Sequence, residues 1–163
     1  MILILNNVNS LTEARFAAGE GFSHVVLGGQ LLAKTAQEIG QVLDFLSGMV
    51  VVVPKNVAVV GATAELELIR EEDGYKRWRI AGEGQIDILL FEQEPILSKL
   101  QILEEDNPVI GGPMEMSMLA EMAQSKTVAG FWFESPGEES LGMLNEDEML
   151  REALDWLDSH LND

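Results

Sequence analysis

Gly130-Phe131-Trp132-Phe133-Glu134-Ser135-Pro136-Gly137-Glu138-Glu139-Ser140-Leu141-Gly142 is the stretch on which the reading of this chain turns. An apolar run opens it, small, polar and acidic residues follow, and Asn145 with Glu148 three positions on forms a capping box. The order is strand, loop, helix. The helix that follows, Glu146 to about Leu161, has acidic residues in its first turn and an apolar stripe at Leu150, Ala153, Leu154, Leu157 and Leu161.

The same rhythm opens the chain. A strand at Ile2 to Leu5 leads to Ser10, whose hydroxyl can cap a helix that Glu13 closes and Gly19 to Gly21 ends. A strand at His24 to Leu27 follows. Thr35 and Glu38 make a second capping box, with Ile39, Val42, Leu43 and Leu46 on one helical face before Ser47-Gly48. Met49 to Val53 is β-branched without alternation, as suits a strand buried on both faces of a parallel sheet.

In the middle the period changes from helical to two. Apolar and charged residues alternate from Ala64 to Arg70 and from Tyr75 to Ala81, and Glu72-Asp73-Gly74 reads as a three-residue hairpin loop. That loop sets Leu68 opposite Trp78, Leu66 opposite Ile80 and Glu67 opposite Arg79. A two-residue turn would instead set Arg70 against Arg77. With Val57 to Val60 read as one more short strand, Met49 to Phe91 becomes an antiparallel meander whose last strand, Ile86 to Phe91, points the same way as Met49 to Val53. Helices from Pro95 to Leu103 and Met114 to Ala123 and strands at Val109-Ile110 and Val128 to Phe133 complete the pattern.

Several of these segments resemble phosphoribosylanthranilate isomerase, the tryptophan-biosynthesis barrel. Its last strand and loop run roughly Gly-Val-Asp-Val-Ser-Ser-Gly-Val-Glu-Ser-Ser-Pro-Gly, which Gly130, Ser135, Glu138, Ser140 and Gly142 match in register while Trp132, Pro136 and Leu141 depart. Asn9 to Ala14 is similar to the family's Thr-Asn-Leu-Glu-Asp-Ala, and Ala17 to Phe22 to the small-residue run before its second strand. Asp87 to Glu92 and Pro108 to Gly112 resemble two further strands, the latter with a phosphate loop. The resemblance implies an α/β, TIM-barrel-like (β/α) domain over residues 1–163, shortened, with a central antiparallel meander or hairpin replacing βα units. At 163 residues the chain is long enough for one core, whereas a complete barrel of eight βα units takes about 200 or more.

Composition narrows the function classes. Ten basic residues against 28 acidic ones give a net charge of −18, which repels nucleic acid and anionic membranes. The absence of cysteine removes disulfides and thiolate chemistry. No segment reads as a signal peptide or membrane span, so a cytoplasmic protein is expected. His24 and His160 stand alone, so no metal site is expected, and the resemblance implies no cofactor.

The family's reaction, an intramolecular aldose–ketose isomerisation of a phosphoribosylamine, needs a base, an acid and a phosphate cradle. The resemblance places the base, a cysteine in the family, on Asn6, which has no titratable proton. It places the acid, an aspartate, on Glu92, whose arm is longer by one methylene. A misplacement of about 1 Å costs on the order of a hundredfold. Gly111 and Gly112, with Ser135 and Gly137, are the candidate phosphate- or ligand-binding residues, although Pro113 and Pro136 each remove a donor. The family's basic residue after the second strand is missing; only Lys34 lies nearby. The plainer readings are a capping asparagine at position 6, a solvated strand end at Glu92 and a tight strand-to-helix turn at Gly111-Gly112.

Met114, Met116, Met118 and Met122 are expected to fill gaps in a core, Trp78 to pack inward, and Trp132 to fill part of the barrel mouth. The expected function is an isomerase-like protein impaired in catalysis that binds a small ligand or a protein partner. An active isomerase acting on a phosphorylated small molecule is the alternative. Replacing helices by antiparallel strands would leave an open sheet edge or an apolar hairpin face, which predicts a homodimer through Ala58 to Ala81.

Overall fold

Eight strands close into a barrel in chain order. The computed structural model describes residues 1–94, 107–125, 127–138 and 148–161. The strands are β1 (Ile2–Val8), β2 (His24–Leu27), β3 (Val50–Pro54), β4 (Ala64–Glu72), β5 (Tyr75–Ala81), β6 (Gln85–Phe91), β7 (Val109–Gly111) and β8 (Gly130–Glu134). Neighbours run parallel except where β5 lies antiparallel between β4 and β6. Helices α1 (Leu11–Glu20), α2 (Gly29–Leu32), α3 (Ala36–Leu43), α4 (Met116–Ser125) and α5 (Glu148–Leu161) complete the described elements. The chain is therefore a mixed α/β protein built on a closed barrel. Among the described residues no helix is long and apolar enough to cross a membrane.

Local signals account for the helices. Ser10 accepts from the Glu13 N–H at the start of α1, and Gly21, at φ 78°, ends it in the left-handed region. Thr35 and Glu38 complete both bonds of the capping box of α3, and Asp44–Leu46 extends it as a 3₁₀ turn. The capping box at Asn145 and the helix from Pro95 to Leu103 lie outside the described residues.

Side chains alternate between the two faces of each strand. Ile4, Val26, Val52, Ile80, Ile88 and Trp132 pack together inside the barrel. Their neighbours Leu5, Val25, Val51 and Val53 point outward onto α1 and α3, and Leu89, Ile110 and Phe131 onto α4 and α5. Strands covered by helices are thus apolar on both faces. The outward face of β4 to β6 carries charge instead: Arg79 Nε lies 2.9 Å from Asp87 Oδ1, Arg77 Nη1 3.6 Å from Asp87 Oδ2, and Lys55 Nζ 2.8 Å from Glu67 Oε1. No described helix intervenes between these strands, which explains why only this part of the sequence alternates.

The structure corrects four expectations. Val57 to Val60 is not a strand. Residues 55–63 return irregularly to the start of β4, which pairs with β3 in parallel, Val52 with Ala64. Asn56 and Gly61 at φ 72° and 101° turn the segment, Thr63 N–H bonds the Val51 carbonyl at 3.0 Å, and Val57 and Val59 pack against the outer core instead of entering the sheet. The direction of β6 follows as expected. The hairpin contains both registers that the sequence set against each other. Leu66, Glu67 and Leu68 pair with Ile80, Arg79 and Trp78, but Ile69 is an extra residue, after which Arg70 opposes Arg77 and Glu72 opposes Tyr75. Asp73-Gly74 is therefore a two-residue loop, and the bulge at Ile69 reconciles the apolar register with the turn. The two arginines tolerate the pairing because Arg70 reaches Glu72 at 2.8 Å and Arg77 faces Asp87. There is no open edge, because β1 pairs with β8 from Ile2–Gly130 to Asn6–Glu134. Pairing with β2 carries β1 on to Val8, which stands opposite Leu27, so Asn6 and Asn7 belong to a strand and Asn6 is not simply a capping residue.

Candidate functional site

The carboxyl ends of the parallel strands form one mouth of the barrel. Asn6 and Glu134 are register partners, and both continue the inward faces begun by Ile4 and Trp132. Asn6 Nδ2 donates to both carboxylate oxygens of Glu134, at 2.8 and 3.1 Å. Trp132 Nε1 donates to Glu134 Oε1 at 2.8 Å. The indole itself is only 5% exposed and belongs to the interior cluster, so the sequence expectation that it fills the barrel end holds.

Under the mouth a second set of bonds ties the β1 loop to the β8 loop. Glu13 is 2% exposed. Its carboxylate accepts from the Asn9 N–H at 3.2 Å, from the Ser10 hydroxyl at 3.0 Å and from the Ser135 hydroxyl. The Ser135 N–H in turn donates to the Asn6 carbonyl at 2.9 Å. Asn9 donates to Asn7 Oδ1 at 3.1 Å and accepts from the Leu31 N–H at 3.1 Å, which fixes Asn7 at its positive φ of 64°. Five donors converge on two carboxylates, and hydrogen bonds to a charged acceptor contribute about 1.5–3 kcal/mol each where they are shielded from water.

Each residue singled out from the sequence finds a place here. Asn6 is half-buried, its amide held by Glu134. Glu92 follows β6 directly and is exposed; its N–H bonds the Gly74 carbonyl at 3.0 Å. A Cβ on Gly111 would stand 2.7 Å from Leu90 Cδ2 and 2.9 Å from Trp132 Cβ, so that glycine makes room for the indole. Gly112, at φ 120°, has its Cα against the Phe91 carbonyl, where any Cβ would collide. The Gly137 N–H points to Ser135 Oγ at 3.4 Å. Packing thus accounts for both glycines of the expected cradle, and the N–H groups of Ser135 and Gly137 are already directed at protein oxygens.

Beside Trp132 opens a pocket of about 310 Å³ between β7, β8, α4 and α5. Met114, Met116, Phe131, Phe133 and Leu150 line it, and Glu134 is the one charged residue among its described lining. Met122 is fully buried, and Met114, Met116 and Met118 pack against the same core, as expected for gap-filling. Among the described residues, no three histidine, aspartate or glutamate side chains are grouped to hold a metal ion.

Comparison with protein-family models, with curated proteins and with solved structures finds no match to this chain.

Sequence reasoning missed two residues. From the sequence, Glu134 reads only as part of the last strand and its acidic loop, and Glu13 only as a helix cap. Both meet their partners across more than 120 residues of chain, at separations of 128 and 122. The strand periods of Ile4-Asn6 and Trp132-Glu134 put all four on inward faces, and that was the available signal.

Proposed function

We propose that the chain is a TIM-type barrel, a shortened relative of phosphoribosylanthranilate isomerase that does not isomerise sugar phosphates and binds a small ligand at its C-terminal mouth. The Asn6–Glu134 contact carries this reading. A base must take the C2 proton, and the group at that position is an amide whose N–H hydrogens are directed at a carboxylate. That carboxylate also opposes a phosphate group at short range, and no lysine or arginine is among the described residues lining the adjacent pocket. The apolar pocket wall supports a small uncharged or cationic apolar ligand over a phosphorylated one.

A coupled assay that generates phosphoribosylanthranilate and follows the loss of its fluorescence tests the first half. The expected rate equals that of buffer, and a tryptophan auxotroph lacking the isomerase should stay unable to grow when given this chain. Turnover or growth would overturn the reading. Quenching of tryptophan fluorescence by a neutral aromatic probe, absent in Trp132→Phe, tests the second half.

A protein partner in the form of a second copy has support of its own. Among the described residues, Val60, Leu68 and Ile69 are large apolar side chains that stay exposed, Val60 at 97%, and all lie between Ala58 and Ala81.

A further inference from the structure

The opposite end of the barrel holds a second cavity, of about 310 Å³, that nothing above uses. Val50, Ala64, Ile80 and Ile86 form its walls, and Thr63, Glu83 and Gln85 stand at its rim. It exists because the links at this end are short. The β5–β6 turn is closed by Gly82 N–H bonding the Gly84 carbonyl at 3.0 Å, and residues 55–63 cross without a helix.

His24 reaches into this cavity from the first position of β2, on the inward face it shares with Val26. Its ring is oriented from behind. Ser23 Oγ accepts from the Leu3 N–H at 3.0 Å, donates to the Leu3 carbonyl at 3.0 Å and lies 2.8 Å from His24 Nδ1. The hydroxyl has one hydrogen; given to the Leu3 carbonyl, it leaves Nδ1 to carry the imidazole proton and donate to Ser23, the tautomer on which the proposed site rests. Burial lowers the pKa of His24 and keeps the ring neutral at pH 7. Nε2 is then a bare lone pair. An apolar chamber with one oriented acceptor and one carboxylate at its rim is a built ligand site.

We propose that this cavity binds a small primary ammonium ion with a short apolar body. An N–H of the ammonium donates to His24 Nε2, its apolar part lies against Val50, Ile80 and Ile86, and its charge is met by Glu83. The protein's charge of −18 favours cations at every approach to the site.

The chain has two histidines, so long-range ¹H–¹⁵N spectra resolve them individually in the unmodified protein. Benzylamine is the probe, with benzyl alcohol and benzoate as comparisons. Benzylamine should shift the His24 signals saturably at millimolar concentration and leave His160 unmoved. Benzyl alcohol should bind several-fold more weakly and benzoate not at all. Glu83 is exposed, so Glu83→Gln leaves the fold intact; it should weaken benzylamine three- to tenfold and leave benzyl alcohol unchanged. The proposal is overturned if His24 shows no saturable shift, if His160 moves equally, if benzoate binds as tightly as benzylamine, or if Glu83→Gln leaves benzylamine binding unaltered.

Discussion

Gly111→Ala separates a glycine kept for packing from one kept for a ligand. The new methyl carbon would stand 2.7 Å from Leu90 Cδ2 and 2.9 Å from both Trp132 Cβ and Trp132 Cδ1, where carbon pairs prefer about 3.5–4.0 Å. Trp132 is 5% exposed and closed in by the other strands, so the indole cannot swing away freely. Overpacking of this kind costs about 1–3 kcal/mol. For a chain of this length each kcal/mol corresponds to about 2–4 °C in melting temperature. Trp132→Ala removes the obstacle, and in that background Gly111→Ala should cost about 0–0.5 kcal/mol. Urea denaturation of the four proteins measures the coupling directly, with an expected interaction of about 1–2.5 kcal/mol. Additive losses would refute the packing account and return Gly111 to the role of a bare backbone approached by a ligand.

Trp78 packs into the barrel between Leu68 and Ile88, so Trp78→Ala should cost about 3–5 kcal/mol; an unchanged melting temperature would show that the indole buries nothing. Its Nε1 is buried with no partner among the described residues, and Trp78→Phe should therefore cost far less, about 1 kcal/mol or under. Burial holds the pKa of folded His24 below its ordinary 6.5, so as pH falls from 7 through 6.5 the unfolded chain takes up a proton that the folded one refuses, and stability declines. The slope over that window should be shallower in His24→Gln, and equal slopes would assign the decline to other groups. Light scattering at micromolar concentration should give twice the chain mass, and Val60→Lys with Ile69→Lys should give the monomer; a wild-type monomer at high protein and high salt removes the dimer.

Much of the fold was legible because local chemistry wrote it. Ser10, Thr35 and Gly21 mark helix ends that the structure reproduces, and His24–Leu27 is a strand with the boundaries read from its apolar run. What failed was information carried by more than one segment at once. Val57 to Val60 has the composition of a strand, yet a strand needs a free neighbour, and β4 already occupies the place beside β3. The hairpin sequence satisfies two registers, and only the extra residue at Ile69 lets both stand. At the candidate site Asn6 and Trp132 were singled out from the sequence, but their common partner Glu134 was not. Its meaning depends on the β1–β8 register, which no stretch of either strand specifies alone.

The helix-free stretch from β4 to β6 also bears on how the chain folds. Its three strands are joined by turns of a few residues, and every pairing among them is local, from Glu72–Tyr75 to Tyr75–Phe91. Hairpins of this kind form in about 1–10 μs. Joining β1 to β8 instead brings together residues 128 apart, as in Asn6 and Glu134, and contacts of such separation form slowly. The meander is thus a seed that assembles from its own residues, and the seam between the first strand and the last is sewn only afterwards. Substitutions in the meander should then slow folding, whereas those at the β1–β8 seam, such as Asn6→Ala, should mainly hasten unfolding.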